Sequence, residues 1–483
     1  MKSKSRKFVE DVGLMLTSII TGLVASFLIK LVIGNFFGPV GLGTYAIVIT
    51  LLGIIGVFFG LGIESGIVKF SAQYKENKEQ LNKVLSASLL TYFISGVFMS
   101  LFIFIASKQI STLLKMPSIS LFLLIVAIVI PLNCINLSLM ALLNGLRMMR
   151  YYLSFAILRQ CTILALSLLL IFFGFGLAGV FIAIALETTL TFIILKYKTR
   201  KLFNFDLSGY EKIIKSFLSF TTKIYFAGIV AILATKIDLI FVSYFLTDKD
   251  AGIYAASLMC SWFLTIIPRG IQSIVYPAAS EFDSKRMHAQ VTEMVNRVTK
   301  YSLAFLIPVG LIVCYFLKPI LLFIFPSKIE FLNAVWPARL LIIGMIFYGT
   351  AISISTVYEG SGRPDITMKI AFLVCIISIF LDLLLIPIFG INGAAIATSS
   401  TVLVQAILIF ALLNRVLSIR INYLIVWKII ISAIFSVIAF IVLRNFIFDY
   451  LTATFSILIY FSLLLILKAF TNEDKNLFMR LIR

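Results

Sequence analysis

The sequence predicts an all-α polytopic membrane protein of about fourteen transmembrane helices, and three observations carry that prediction. Hydrophobic residues fill 61% of the 483 positions and charged residues only 13%, with a mean hydropathy of +1.10. A soluble core of that size would lack the polar surface to cover it, so lipid must be the solvent. The apolar runs recur near the ~20 residues that cross ~30 Å of hydrocarbon, rather than as the alternating ~10-residue strands of a barrel. Lys and Arg, in a chain of net charge +20, gather in alternate loops, as they do on the cytoplasmic side of a membrane.

Taken in order, the spans fall near 13–33, 41–63, 84–106, 119–143, 153–173, 177–195 and 217–246, then 252–275, 301–324, 339–358, 367–387, 391–413, 423–443 and 448–467. The first run follows a basic head containing Lys2, Lys4, Arg6 and Lys7. No small-residue cleavage site follows it, so it reads as a retained helix rather than a signal peptide. With the amino terminus in the cytoplasm, the inner loops receive Lys69, Lys75, Lys78 and Lys83, then Arg147 and Arg150, then Lys196, Lys198, Arg200 and Lys201, and later Lys285, Arg286, Arg297 and Lys300. The outer loops at 34–40, 174–176 and 388–392 carry none. An even span count returns the carboxyl terminus, with Lys468, Lys475, Arg480 and Arg483, to the cytoplasm. The five cysteines, Cys134, Cys161, Cys260, Cys314 and Cys375, lie inside apolar runs and imply neither disulfide nor metal. The basic charge fits membrane lipids better than nucleic acid.

An internal duplication orders these spans. GIESGIV at 62–68 is similar to GIQSIV at 270–275, and Gly43, Tyr45 and Ala46 match Gly252, Tyr254 and Ala255. NGLR at 144–147 faces GSGR at 360–363, and GLAGVFIA at 176–183 faces GINGAAIA at 390–397. Spans 1–6 thus repeat as spans 7–12. Six is even, so both copies enter from the same side and form two pseudo-symmetric six-helix lobes related by an axis along the membrane normal. The division is 1–195 for the N-lobe, 196–216 for a cytoplasmic linker, 217–414 for the C-lobe and 415–483 for two extra helices and a tail.

Five motifs resemble one family: FGPVGLGTYAI at 37–47, KIDLIFVSYFLTDKDAGIYAAS at 236–257, VYPAASEF at 275–282, EGSGRPDITMK at 359–369 and GINGAAIATSS at 390–400. They are similar to the polysaccharide transporters, the O-antigen flippases of the multidrug/oligosaccharidyl-lipid/polysaccharide superfamily, over roughly 8–468. The resemblance implies a V-shaped, two-lobed fold like that of the MATE exporters. It also implies a flippase of the inner membrane that moves an undecaprenyl-pyrophosphate-linked oligosaccharide from the cytoplasmic to the outer leaflet by alternating access. Partners so implied are the lipid-linked saccharide, membrane lipids, and the polysaccharide polymerase and chain-length machinery.

Charges inside the spans are the candidate functional residues, because each costs at least ~2.5–3.5 kcal/mol on insertion unless geometry excuses it. Lys30 lies about 25 Å along the first helix and can either line the cavity or snorkel outward. Lys223 and Arg269 are placed near cytoplasmic ends, where snorkelling suffices. Glu64 stands at the inner boundary of span 2 and Asp382 in the outer third of span 11. Lys236 is mid-span, and Asp238 two residues on does not share its face. The repeat sets Asp238 opposite Lys30, which makes an ion pair between them one expectation; a lock between Lys236 and Glu187 is another. Arg159 and Glu187 complete the deep set, with Lys236 and Arg159 expected to face the cavity. The cargo-binding candidates are therefore Lys30, Arg159, Lys236 and Arg269. The coupling or lobe-locking candidates are Glu64, Glu187, Asp238 and Asp382.

Cations lining the path suit an anionic pyrophosphate, which must shed water in transit. A cation-coupled multidrug exporter of the same superfamily is the alternative reading, but it is expected to carry an acid in span 1, where this chain has Lys30. The lone His288 has no Cys or clustered carboxylate near it, and no P-loop is present, so the chain reads as a transporter rather than an enzyme, with no metal or other cofactor called for. The polar stretch 277–300 reads as an amphipathic helix on the inner membrane surface.

Overall fold

The computed structural model describes residues 2–208, 210–445, 448–470 and 474. The side chains of the basic head and of Lys223, together with Lys475, Arg480 and Arg483, lie outside the described residues. Everything regular among the described residues is helical. In order these are α1 (Lys2–Gly60), α2 (Ile63–Gln73), α3 (Lys78–Leu113), α4 (Ser118–Ala127), α5 (Ile130–Gly145), α6 (Met149–Phe172), α7 (Ala178–Thr199), α8 (Tyr210–Phe245), α9 (Asp248–Trp262), α10 (Ile266–Ser284), α11 (His288–Ile324), α12 (Val335–Gly360), α13 (Pro364–Phe389), α14 (Ile391–Leu417), α15 (Tyr423–Leu443) and α16 (Asp449–Ile466). Short 3₁₀ turns at Phe263–Thr265 and Ile329–Ala334 lead into α10 and α12.

Eleven of the helices are long and apolar enough to cross a membrane, and twelve if the pair α4 and α5, bent by 53°, is one span. The first of them continues through Gly38, whose φ of 67° and ψ of −164° break the helix just before Pro39. Divided there, and with the shorter apolar helix at Tyr450–Ile466 added, the set is compatible with the fourteen spans expected. Ile105, Phe172, Phe323 and Ile388 are exposed, as lipid-facing side chains are when water is not the solvent.

Prolines shape the helices, and neighbouring helices repair the damage. Pro131, at the start of α5, cannot donate to the Ala127 carbonyl four residues back, and the chain bends there. That carbonyl accepts a hydrogen bond from Ser100 Oγ of α3 at 2.8 Å, in a region where no water could serve. Pro308 inside α11 orphans the Ala304 carbonyl in the same way, and the fully buried Tyr460 of α16 donates its hydroxyl to it at 3.3 Å.

The chain forms two compact units, one of 1–255 with 325–330 and the other of 256–324 with 331–483. In the first, α1 packs on α6 and α8, α3 on α4 and α5, and α6 on α7. The stretch 202–207 runs back along α3, with the Asn204 and Asp206 backbone N–H groups donating to Asn82 Oδ1 and Ser86 Oγ at 3.0 and 2.8 Å. In the second unit α12 is central, packed by α10, α11, α13 and α14, while α15 and α16 pair with each other and lie on α11.

Two contacts inside the first unit are reciprocal. A side chain at Gly43 would run into the Asp248 carbonyl and the Gly252 nitrogen, and one at Gly252 would run into the Pro39 carbonyl and the Gly43 nitrogen. Gly34 is likewise closed by the Phe325 ring, and Ser243 meets the Met116 sulfur at 3.3 Å. Each pair maps onto its partner when 209 is added to the lower number: 39 to 248, 43 to 252, 34 to 243 and 116 to 325.

The stretch 277–300 differs from the expectation. It is the continuation of α10 and α11 around a turn at Lys285–Met287, where Arg286 has a positive φ. Its apolar side, Val291 and Val295 with Met294 and Val298, packs on Ile354, Tyr358, Ile366 and Leu413 of the chain itself. The amphipathic pattern is real, but its apolar face is covered by protein.

Candidate functional site: charges within the helices

Six of the eight candidate residues fall in the first unit and sort into four environments. Lys30 on α1 is half-buried, and Lys236 on α8 is exposed. The two helices pack together. Like charges brought together in a low-dielectric setting raise each other's cost, and an anion between them removes it.

Asp238, buried two residues on, accepts from the Tyr254 hydroxyl at 2.8 Å and from the Leu239 backbone N–H at 2.8 Å. At the offset of 209 that relates the two glycine contacts, Asp238 corresponds to Ile29 rather than Lys30. Asp238 engages a tyrosine of α9.

Arg159 and Glu187 form a third environment. The Arg159 Nε lies 3.5 Å from Glu187 Oε2, and its Nη2 donates to Asn133 Oδ1 at 3.3 Å. Glu187 is 1% exposed and Arg159 35%, so the pair has a dry end and a wet end. Thr191 donates to Glu187 Oε1 at 2.6 Å, and Asn136 donates to the Thr188 carbonyl at 2.9 Å. α5, α6 and α7 are thus joined by one polar network, with Arg159 partnering Glu187 where the sequence had offered Lys236. Glu64, the fourth case, is exposed at the start of α2 and accepts from the Tyr92 hydroxyl of α3 at 2.8 Å.

The remaining two lie in the second unit. Asp382 is fully buried in α13 and accepts from Ser378 Oγ one turn earlier at 3.3 Å. Arg269 on α10 is exposed, with its guanidinium 6.0 Å from the centre of the Trp262 ring. Sequence reasoning placed Arg269 near a helix end. It stands in the first turn of α10, which continues through Ser284.

Sequence reasoning also missed a buried ion pair. Lys300, read as a loop cation, is 8% exposed inside α11 and pairs with Asp474, whose other oxygen accepts from the Tyr301 hydroxyl. The only signal was an acid among the basic residues after the last span. The partner asparagines Asn133 and Asn136 and the tyrosines Tyr92 and Tyr254 carried no charge to draw attention to them.

Long apolar helices holding paired and networked charges at mid-length define a polytopic membrane protein of the transporter class. The chain belongs to the polysaccharide biosynthesis protein family, whose profile matches residues 8–283. It is 23% identical over 397 residues to a putative O-antigen transporter of Shigella flexneri, covering 80% of this chain and 92% of that protein. Its fold is similar to that of the lipid II flippase MurJ in an inward closed conformation, with a TM-score of 0.74 at 17% identity over 98% of this chain and 100% of that one. A multidrug resistance MATE family transporter in an inward-facing conformation follows at a TM-score of 0.69 and 14% identity, over 82% and 94% of the two chains. The family and the MATE-like fold expected from the motifs are both found.

Proposed function

We propose that this protein is a flippase that carries a lipid-linked saccharide, such as an undecaprenyl-pyrophosphate oligosaccharide, from the cytoplasmic to the outer leaflet by alternating access. The observation that carries the reading is the pair Lys30 and Lys236, two cations on helices that pack together. Such a pair is poorly placed without an anion and well placed to bind a pyrophosphate, whose own desolvation it offsets. The named function of the O-antigen transporter relative points the same way. The protein acts as a transporter rather than an enzyme, in the inner membrane with both termini in the cytoplasm, and works beside a polymerase and chain-length machinery. Glu64, Glu187, Asp238 and Asp382 are the candidate acids for coupling transport to an ion gradient.

The lobes are the repeated halves 1–195 and 217–414, with 415–483 outside the repeat. Support comes from the reciprocal contacts, because a two-fold axis makes residue i touch j's neighbour and j touch i's in the same way.

Deleting the gene and replacing it with Lys236→Ala or Lys236→Arg tests the reading. The deletion should leave lipid-linked saccharide on the inner leaflet and abolish the surface polymer. Lys236→Ala should do the same at normal protein levels, and Lys236→Arg should keep part of the activity. Normal surface polymer with reduced drug efflux would instead favour the exporter.

A further inference from the structure

A second place in the molecule has the chemistry of a ligand site, and it lies within the second unit. α12 fixes its height. At one end Ser257 Oγ donates to the Ala334 carbonyl at 3.2 Å, and at the other Gly360 rests on the backbone of Tyr276 and Ser280. Midway, Pro268 of α10 lies against Gly349 of α12, so the residues beside them, Arg269 and Tyr348, share the height of the centre of a helix about 39 Å long. Roughly 20 Å of helix separates them from either end, well beyond the reach of an arginine side chain. Arg269 is nonetheless exposed. A guanidinium exposed at mid-height is excluded from hydrocarbon by the cost of its charge, so it faces a watered path.

The surroundings of Arg269 are aromatic. Trp262 ends α9 just before the 3₁₀ turn Phe263–Thr265, and its ring meets that of Tyr348 edge-on, with centroids 6.3 Å apart at 74°. The guanidinium lies 6.0 Å from the Trp262 ring centre. Tryptophan ordinarily gathers at membrane interfaces, where its amphipathic ring is at home. Helices broken at mid-membrane usually mark a binding path rather than a packing core.

We propose that Trp262, Tyr348 and Arg269 form a saccharide-docking site that holds a pyranose ring of the cargo. A pyranose offers one face of C–H groups, which packs on an aromatic ring, and a rim of hydroxyls, which the Tyr348 hydroxyl and the Arg269 N–H groups can bond. A pyrophosphate has no apolar face and needs cations alone. The site therefore reads the sugar, and a carboxylated sugar gains a bidentate bond from Arg269. The inference rests on the flippase reading and adds to it the residues that sense the glycan.

The test uses the full chain in lipid nanodiscs, with Trp336→Phe and Trp427→Phe leaving Trp262 as the sole tryptophan. Two probes are titrated: synthetic undecaprenyl pyrophosphate without sugar, and the lipid-linked saccharide extracted from cells lacking the gene. The saccharide-bearing lipid should shift Trp262 emission and the bare pyrophosphate should not. With binding of each probe read by native mass spectrometry on the chain carrying its other tryptophans, Trp262→Ala should weaken binding of the saccharide-bearing lipid about tenfold, the loss of one good aromatic contact, and leave the bare lipid's affinity unchanged. Tyr348→Phe should lower affinity for the saccharide-bearing lipid alone, by a smaller factor. Equal loss for both probes, or no loss for either, overturns the proposal while the flippase reading stands. If the intact chain binds neither probe, the flippase reading falls and takes this one with it.

Discussion

Glu187 is buried among the helices, and Arg159 approaches it from the neighbouring helix at 3.5 Å. Removing one partner of a fully buried pair costs ~3–5 kcal/mol, because the other charge is left stranded. Arg159 is about a third open to solvent, so the loss here should fall below that range, near ~2 kcal/mol. Arg159→Met should therefore lower the unfolding temperature and steady-state level of the protein, and Glu187→Gln should do so less, since an amide still accepts from Thr191. The double variant should recover most of the loss, and a thermal-unfolding double-mutant cycle in detergent measures the coupling. Independent, additive losses would mean that the two do not act as a pair. The sequence named both residues as deep charges but not as partners. Ionisable residues stand out against apolar runs, whereas pairing depends on which helix faces share a neighbour, and nothing local encodes that. Asn133, the third member of the network, was invisible for the same reason.

The apolar core of each membrane helix was legible, because a lipid solvent demands long apolar runs, but not the polar turns by which helices such as α3 and α11 extend beyond it. What escaped the sequence was how helices are broken and mended. Pro131 and Pro308 are plain in the sequence, but the hydroxyls that serve the carbonyls they orphan, Ser100 and Tyr460, come from distant helices. This gives α16 a definite job. It lies outside the repeat, yet its fully buried Tyr460 completes the backbone of α11. Tyr460→Phe keeps the ring and removes only the donor, leaving the Ala304 carbonyl unanswered, which should cost ~1–3 kcal/mol. The expected reading is a lowered melting temperature with little change elsewhere in the fold. Unchanged melting would show that Ala304 needs no donor from α16.

At the scale of the molecule, short matches in the sequence point to a duplication without agreeing on one register. Matches at Gly62 and Gly270 and at Gly43 and Gly252 differ by one position, and only contacts decide between them. The reciprocal approach of Gly43 and Gly252 settles on 209 there, and the Gly34 with Phe325 and Ser243 with Met116 contacts obey the same number. A two-fold relation between the halves has a consequence that a chance similarity lacks: the two glycines must be equally intolerant of a side chain. Glycine within a helix is ordinarily worse than alanine by ~0.5–1 kcal/mol, so a Gly→Ala change with room to spare should stabilise. At Gly43 and Gly252 the added methyl instead meets a backbone carbonyl of the other segment. Gly43→Ala and Gly252→Ala should therefore each depress surface polymer, to a similar degree, at protein levels close to wild type. The double variant should be little worse than either single one, because each already forces the same two segments apart. Gly22, which has nothing near the place of a Cβ, is the control, and Gly22→Ala should be silent. Unequal effects at Gly43 and Gly252, or fully additive ones, would show that the contact is not shared by a two-fold axis, and the repeat would then be a likeness of sequence without a symmetry of structure.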